Sequence, residues 1–125
     1  MQNGKHVILC VDDDKDILEA GRLILEMNDY VFEGASSAEE GLKKYKEVQP
    51  DVLIVDLMME EVDAGINLVK ELKAIGNTAP VYMLSGVGDS LHMTTDTNEL
   101  GLAGVLQKPI DPDTLLATLK TRLSK

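Results

Sequence analysis

The chain has 125 residues, 44% of them hydrophobic, which suits one compact domain with one core and is too short for a second domain of ordinary size. Its 22 acidic residues outnumber 12 basic ones, and the net charge of -10 excludes a continuous basic surface for nucleic acid, so direct DNA output is not expected. No apolar stretch is long enough to span a bilayer and no secretory leader pattern opens the chain, so a cytoplasmic location away from membranes is expected.

From the N-terminus, the apolar run His6 to Val11 reads as a strand, and Cys10 within it reads as a buried small hydrophobe, neither nucleophile nor disulfide partner. A helix follows from Lys15 to Met27, with Ile17, Gly21 and Ile24 on one face and Leu18 and Leu25 widening the stripe. Tyr30 to Glu33 is the second strand. Ser37 then caps a second helix while Glu40 reaches back, a capping-box pattern, and that helix ends before Gln49-Pro50 with Leu42 and Tyr45 facing inward. The third strand is Val52 to Val55. The third helix, Ile66 to Ile75, buries Leu68, Val69 and Leu72 and stops at Gly76-Asn77, residues that tolerate a left-handed turn.

Val81 to Leu84 is the fourth strand. The threonine-rich, weakly amphipathic segment from Asp89 to Leu100 is the weakest helical pattern and is expected to be the most mobile. Gly104 to Leu106 is the fifth strand, and the last helix opens with Asp111 as N-cap and Pro112 at its first position, with Leu115, Leu116, Leu119 and Leu123 turned inward. Strict alternation of strand and helix implies an α/β fold, five βα units forming one doubly wound parallel sheet, with residues 1–125 as a single domain. Three of the apolar runs are continuous enough to be buried on both faces.

Right-handed crossovers bring the C-terminal ends of all strands to one edge of such a sheet, where ligands bind at the reversal of strand order. Asp12-Asp13-Asp14, Asp56, Ser85-Gly86 and Gln107-Lys108-Pro109 arrive there. Asp14 and Asp16 read as a solvated rim and as acids at a helix N-terminus. Asp12, Asp13 and Asp56 follow or adjoin apolar runs directly, and carboxylates packed so closely repel unless a cation offsets them. An all-oxygen set of this kind suits Mg2+, which pairs readily with phosphate, and Lys108 adds a second cation.

The runs Val11-Asp12-Asp13-Asp14, Pro50 to Met59, Leu84-Ser85-Gly86 and Gln107-Lys108-Pro109, in this order and each at a strand end, resemble the signature segments of response-regulator receiver domains, the CheY-like superfamily of two-component signalling. The resemblance covers essentially the whole chain. It implies a flavodoxin-like strand order 2-1-3-4-5, with Asp56 as phosphoacceptor and Asp13 as a direct magnesium ligand. Asp12 would act through water or as a positioning group, and the backbone carbonyl of Met58 would complete the set. It further implies that the Ser85 hydroxyl and the Gly86 N–H contact phosphoryl oxygens and that Lys108 pairs with the phosphoryl charge. The implied partners are a sensor histidine kinase or phosphotransfer protein and an unidentified output protein. Output would run through the face made by the segment 89–100, the fifth strand and the last helix, where a homodimer would also form. Such a domain is a signalling phosphoacceptor and not an enzyme beyond self-phosphorylation from small donors and self-dephosphorylation.

The chain departs from the family pattern twice. Met59 is followed by Glu60-Glu61-Val62-Asp63-Ala64-Gly65 where the family usually has a Met-Pro-Gly-like turn, so the loop beside the acceptor is reshaped and Glu60 and Glu61 read as solvated loop residues. Val105 stands three positions before Lys108, where the family commonly has an aromatic residue, so switching is expected to run through residues 85–89 and the segment after them. In the family the positions two beyond the acceptor and two beyond the serine influence how easily water reaches the acyl phosphate, and with apolar Met58 and Val87 there the resemblance implies slow self-hydrolysis. His6 and His92 read as ordinary residues. Two other readings are an aspartate-nucleophile phosphohydrolase, which would want a second aspartate where Met58 stands, and a degenerate receiver that only docks.

Overall fold

The computed structural model describes residues 4–56, 64–86, 102–108 and 110–123. Met58, the Glu60-Glu61 loop, Val87, His92, Pro109 and the segment 89–100 lie outside the described residues. Five strands, β1 (Val7–Val11), β2 (Val31–Ala35), β3 (Val52–Asp56), β4 (Val81–Ser85) and β5 (Gly104–Gln107), form one parallel sheet in the order β2-β1-β3-β4-β5. Helices α1 (Lys15–Glu26), α2 (Ala38–Val48), α3 (Ala64–Ala74) and α4 (Pro112–Leu123) complete the described elements. The winding reverses between β1 and β3, so the crevice beyond their C-terminal ends is the place where such sheets hold ligands.

The strands β1, β3 and β4 are buried at every position, as continuous apolar runs require when helices cover both faces of a sheet. Alternate side chains point to opposite faces. Leu9, Leu53, Val55 and Met83 pack against Leu68, Val69 and Leu72 of α3, with Leu42 and Tyr45 of α2 beside them. Ile8, Cys10, Ile54 and Leu84 pack on the other face against Leu25 of α1 and Leu115 and Leu119 of α4. Burial and, secondarily, the charge of Asp12 push the Cys10 thiol up to about 12, so it stays protonated and unreactive.

The second strand starts one residue later than its apolar run suggests and continues through Gly34 and Ala35, because the β1 ladder pairs Val7 with Val31 and goes on to pair Val11 with Ala35. Helix boundaries follow their caps. The Asp14 side chain accepts from the Asp16 N–H at the start of α1, and Ser37 accepts from the Glu40 N–H at 3.1 Å at the start of α2. Glu40 reaches back to the Ser36 N–H at 2.7 Å, one residue earlier than a simple capping box would have it. Gln49 closes α2 in the left-handed region at φ 49, and Gly76 at φ 90 follows α3. The third helix begins at Ala64, two residues before its apolar stripe.

Gly41 is where α2 touches the sheet: a Cβ there would stand 2.8 Å from Val11 Cγ2 and 3.3 Å from Leu68 Cδ2. Val11 is fully buried and β-branched, so it cannot turn away. Gly41→Ala is expected to lower stability by about 1–3 kcal/mol through overpacking, less the ~0.5–1 kcal/mol that alanine gains in a helix. Urea unfolding measures the difference, and a midpoint at or above the parent's would contradict this packing.

At α4 the Asp111 carboxylate accepts from the Thr114 N–H at 3.0 Å and from the Thr114 hydroxyl. These bonds hold its pKa below the usual aspartate value. A depressed carboxylate stabilises the fold above its unfolded pKa and loses that contribution as pH falls through its folded value. Asp111→Ala should therefore melt below the parent at neutral pH, with the gap closing in strong acid; a gap that is constant with pH would contradict the assignment.

Candidate functional site

Strand register brings the predicted residues together. Val11 pairs with Val55, so Asp12 and Asp56 are neighbours at the ends of β1 and β3, and Asp56 pairs in turn with Leu84, which places Ser85 beside it. Ser85 pairs with Gln107, and the Lys108 N–H donates to the Ser85 carbonyl at 2.8 Å, which fixes the start of the lysine side chain at the same edge. The Asp12 N–H donates to the Ala35 carbonyl at 3.0 Å, extending the β1–β2 ladder by one bond.

Asp12 and Asp56 are buried, at 0% and 1% exposure, and Ser85 is fully buried as well. The Lys108 ammonium bridges them, 2.9 Å from Asp56 Oδ1 and 3.2 Å from Asp12 Oδ2. Burial acts to lower the Lys108 pKa, but the hydrogen bond to Asp56 and the charges of Asp12 and Asp56 outweigh it, so the ammonium is held above its ordinary range. The Ser85 hydroxyl rests on the Gly86 carbonyl at 3.3 Å. Asp13 is exposed beside them, and carboxylate oxygens of Asp12, Asp13 and Asp56 lie within 4.8 Å of one another.

Three carboxylates facing one ammonium leave an excess of negative charge at the ends of buried strands. Asp12 Oδ2 receives no hydrogen bond among the described residues, although it lies within ion-pair distance of Lys108. The donors are all hard oxygens on fixed backbone, a set that fits magnesium and suits neither zinc nor a soft metal. Met58, whose carbonyl the family resemblance adds to this set, lies outside the described residues.

Asp14 has a larger part than a solvated rim. Its N–H donates to Asp12 Oδ1 at 2.9 Å while its own carboxylate caps α1, so one turn fixes both the helix start and the Asp12 side chain. The Asp-x-Asp spacing is the sequence signal for such a turn, because short carboxylates accept from the backbone two residues on.

Comparisons with known proteins agree with this fold. The family model for the response regulator receiver domain matches residues 8–120. The response regulator MprA of Mycobacterium leprae is 31% identical over 118 residues, which are 94% of this chain and 51% of that protein. The chain thus spans about half the length of the curated relatives it matches. Among solved structures, a CheY-like response regulator receiver domain protein from Methanospirillum hungatei superposes with a TM-score of 0.87 at 28% identity, covering 97% of this chain and 95% of that one. The chemotaxis response regulator CheY4 of Vibrio cholerae gives 0.83 at 30% identity, covering 95% and 99%. No helix among the described residues is long and apolar enough to cross a membrane. The family match runs from β1 into α4, and the chain belongs to the response-regulator receiver domains.

Proposed function

We propose that this chain works as one receiver module in which Asp56 accepts a phosphoryl group from a phosphohistidine on a cytoplasmic sensor kinase or phosphotransfer protein. The observation that carries this reading is the Lys108 ammonium set across the buried carboxylates of Asp12 and Asp56 at the switch point of the sheet. A carboxylate oxygen of Asp56 forms the new bond to phosphorus while the bond from phosphorus to the donor nitrogen or oxygen breaks, and the electron pair leaves with the donor. Negative charge spreads over the transferred oxygens, so positioning and charge neutralisation supply most of the catalysis.

Each residue has a part in that transfer. Lys108, released from Asp56 as the carboxylate becomes an acyl phosphate, pairs with a phosphoryl oxygen. The Ser85 hydroxyl, now on the Gly86 carbonyl, turns to donate to a second oxygen, and the Gly86 N–H supports it. Asp12 and Asp13, with Asp56 and the Met58 carbonyl, would hold Mg2+, which offsets charge on the donor and on the product. Movement of Ser85 would pass the change to residues 85–89 and the surface beside β5, where Val105, 38% exposed, offers no ring to rotate.

Intact mass after incubation with magnesium and a small acyl-phosphate donor tests the proposal. Gain of one phosphoryl group by the parent and none by Asp56→Asn is expected. No gain in a folded parent would replace this reading with that of a docking module that is never phosphorylated.

A further inference from the structure

At the opposite end of the sheet, beneath β4 and β5, an open cavity of about 550 Å3 is lined by residues including Val69, Lys73, Thr78, Pro80, Leu102 and Arg122, with no carboxylate among its described lining. A second cavity, sharing Asn77, Thr78 and Ala79 with the first, continues past the half-exposed Ile75 to Lys46 and Tyr45 of α2. Together they make a long groove with basic and apolar walls.

Arg122 is held ready there. Its Nε donates to the Tyr82 hydroxyl at 3.2 Å, and its guanidinium lies 6.0 Å from the centre of the Tyr82 ring. The ring occupies the space over Gly104, where a Cβ would approach it to 3.0 Å. The chain's other arginine, Arg22, is clasped by Glu19 and Glu26, whereas no described carboxylate pairs with Arg122. In a chain with 22 acidic residues and 12 basic ones, an arginine oriented by a tyrosine and without an acid among the described residues is poised for one supplied by another molecule.

We propose that this groove docks an acidic peptide segment of a partner protein, a carboxylate meeting the Arg122 fork beside Lys73 while an apolar side chain packs on Val69, Pro80 and Leu102. Charge complementarity selects the occupant: a net charge of -10 repels such a segment elsewhere, so binding is steered to the basic groove. The extended shape suits a peptide better than a compact ligand.

The probe is a fluorescein-labelled hexapeptide, Glu-Leu-Glu-Glu-Leu-Glu, titrated by anisotropy at low salt. Saturable binding is expected, weakened about tenfold by Arg122→Gln and also by Lys73→Gln, and unchanged by Lys44→Gln, a matched loss of charge on the far side of α2. Amide shifts should gather at Thr78, Ala79, Leu102 and Ala103. Arg122→Gln keeps a donor for Tyr82, and Lys73→Gln leaves that contact untouched, so a folding defect in one variant does not remove the test. Absence of saturable binding, equal binding by both variants, or shifts confined to other faces would overturn the proposal. Complete competition by inorganic phosphate at the peptide's own concentration would overturn it too, in favour of a small-anion site.

Discussion

Lys108→Ala is expected to slow phosphoryl uptake about 10²–10³-fold, the usual cost of deleting one preorganised group that meets developing negative charge. The same change should lower stability in magnesium-free buffer. Asp12 and Asp56 are at most 1% exposed, and the Lys108 ammonium stands 2.9 Å and 3.2 Å from them, so the variant buries two neighbouring carboxylates without it. Breaking a buried pair on one side costs roughly 3–5 kcal/mol, and the 24% exposure of the Lys108 side chain favours the lower end. A lysine whose folded pKa is raised stabilises the fold fully below its unfolded value and loses that contribution as pH rises through the folded one. The deficit should therefore be complete at neutral pH and shrink only in strongly alkaline solution. Urea unfolding without metal reads it, and a variant as stable as the parent would show that the ammonium contributes little to the fold.

Asp13→Asn should separate the roles of the three acids. Asp13 is exposed and makes no ion pair with a described residue, yet one of its oxygens lies within 4.8 Å of those of Asp12 and Asp56. Without metal its charge meets two carboxylates and only one ammonium, so the variant is expected to be more stable than the parent by ~0.5 kcal/mol. Saturating magnesium should reverse the order, because a ligand at about a hundredfold its dissociation constant adds roughly 2.7 kcal/mol to the protein that binds it. The parent would gain that increment and the variant most of it would lose. Thermal melts with and without magnesium show whether the two curves cross; parallel shifts in both proteins would place the ion elsewhere.

Much of this arrangement was legible in the amino-acid order because short apolar runs end in acids. A strand buried on both faces admits few polar residues, so Asp12 after Val11 and Asp56 after Val55 mark the C-terminal edge of the sheet. Helix ends were equally readable where a cap has a short-range partner, as at Ser37 and Asp111. Contacts that depend on register were not. The extension of β2 through Gly34 and Ala35 is dictated by its neighbour β1, and glycine carries no strand signal of its own. The bond from the Lys108 N–H to the Ser85 carbonyl and the Tyr82 to Arg122 contact join residues 23 and 40 apart, visible only once the strands are paired. Asp14 lay between these cases, since its spacing from Asp12 and Asp16 signals a turn but not that the turn steadies a site carboxylate.

In the proposed transfer Asp56 itself carries the phosphoryl group. Borohydride reduction of the phosphorylated protein converts an aspartyl phosphate to homoserine, and peptide mapping by tandem mass spectrometry then locates it. Homoserine at position 56 and at no other aspartate is the predicted result. Modification at Asp12 or Asp13, or a stable phosphate on a serine or threonine, would contradict it.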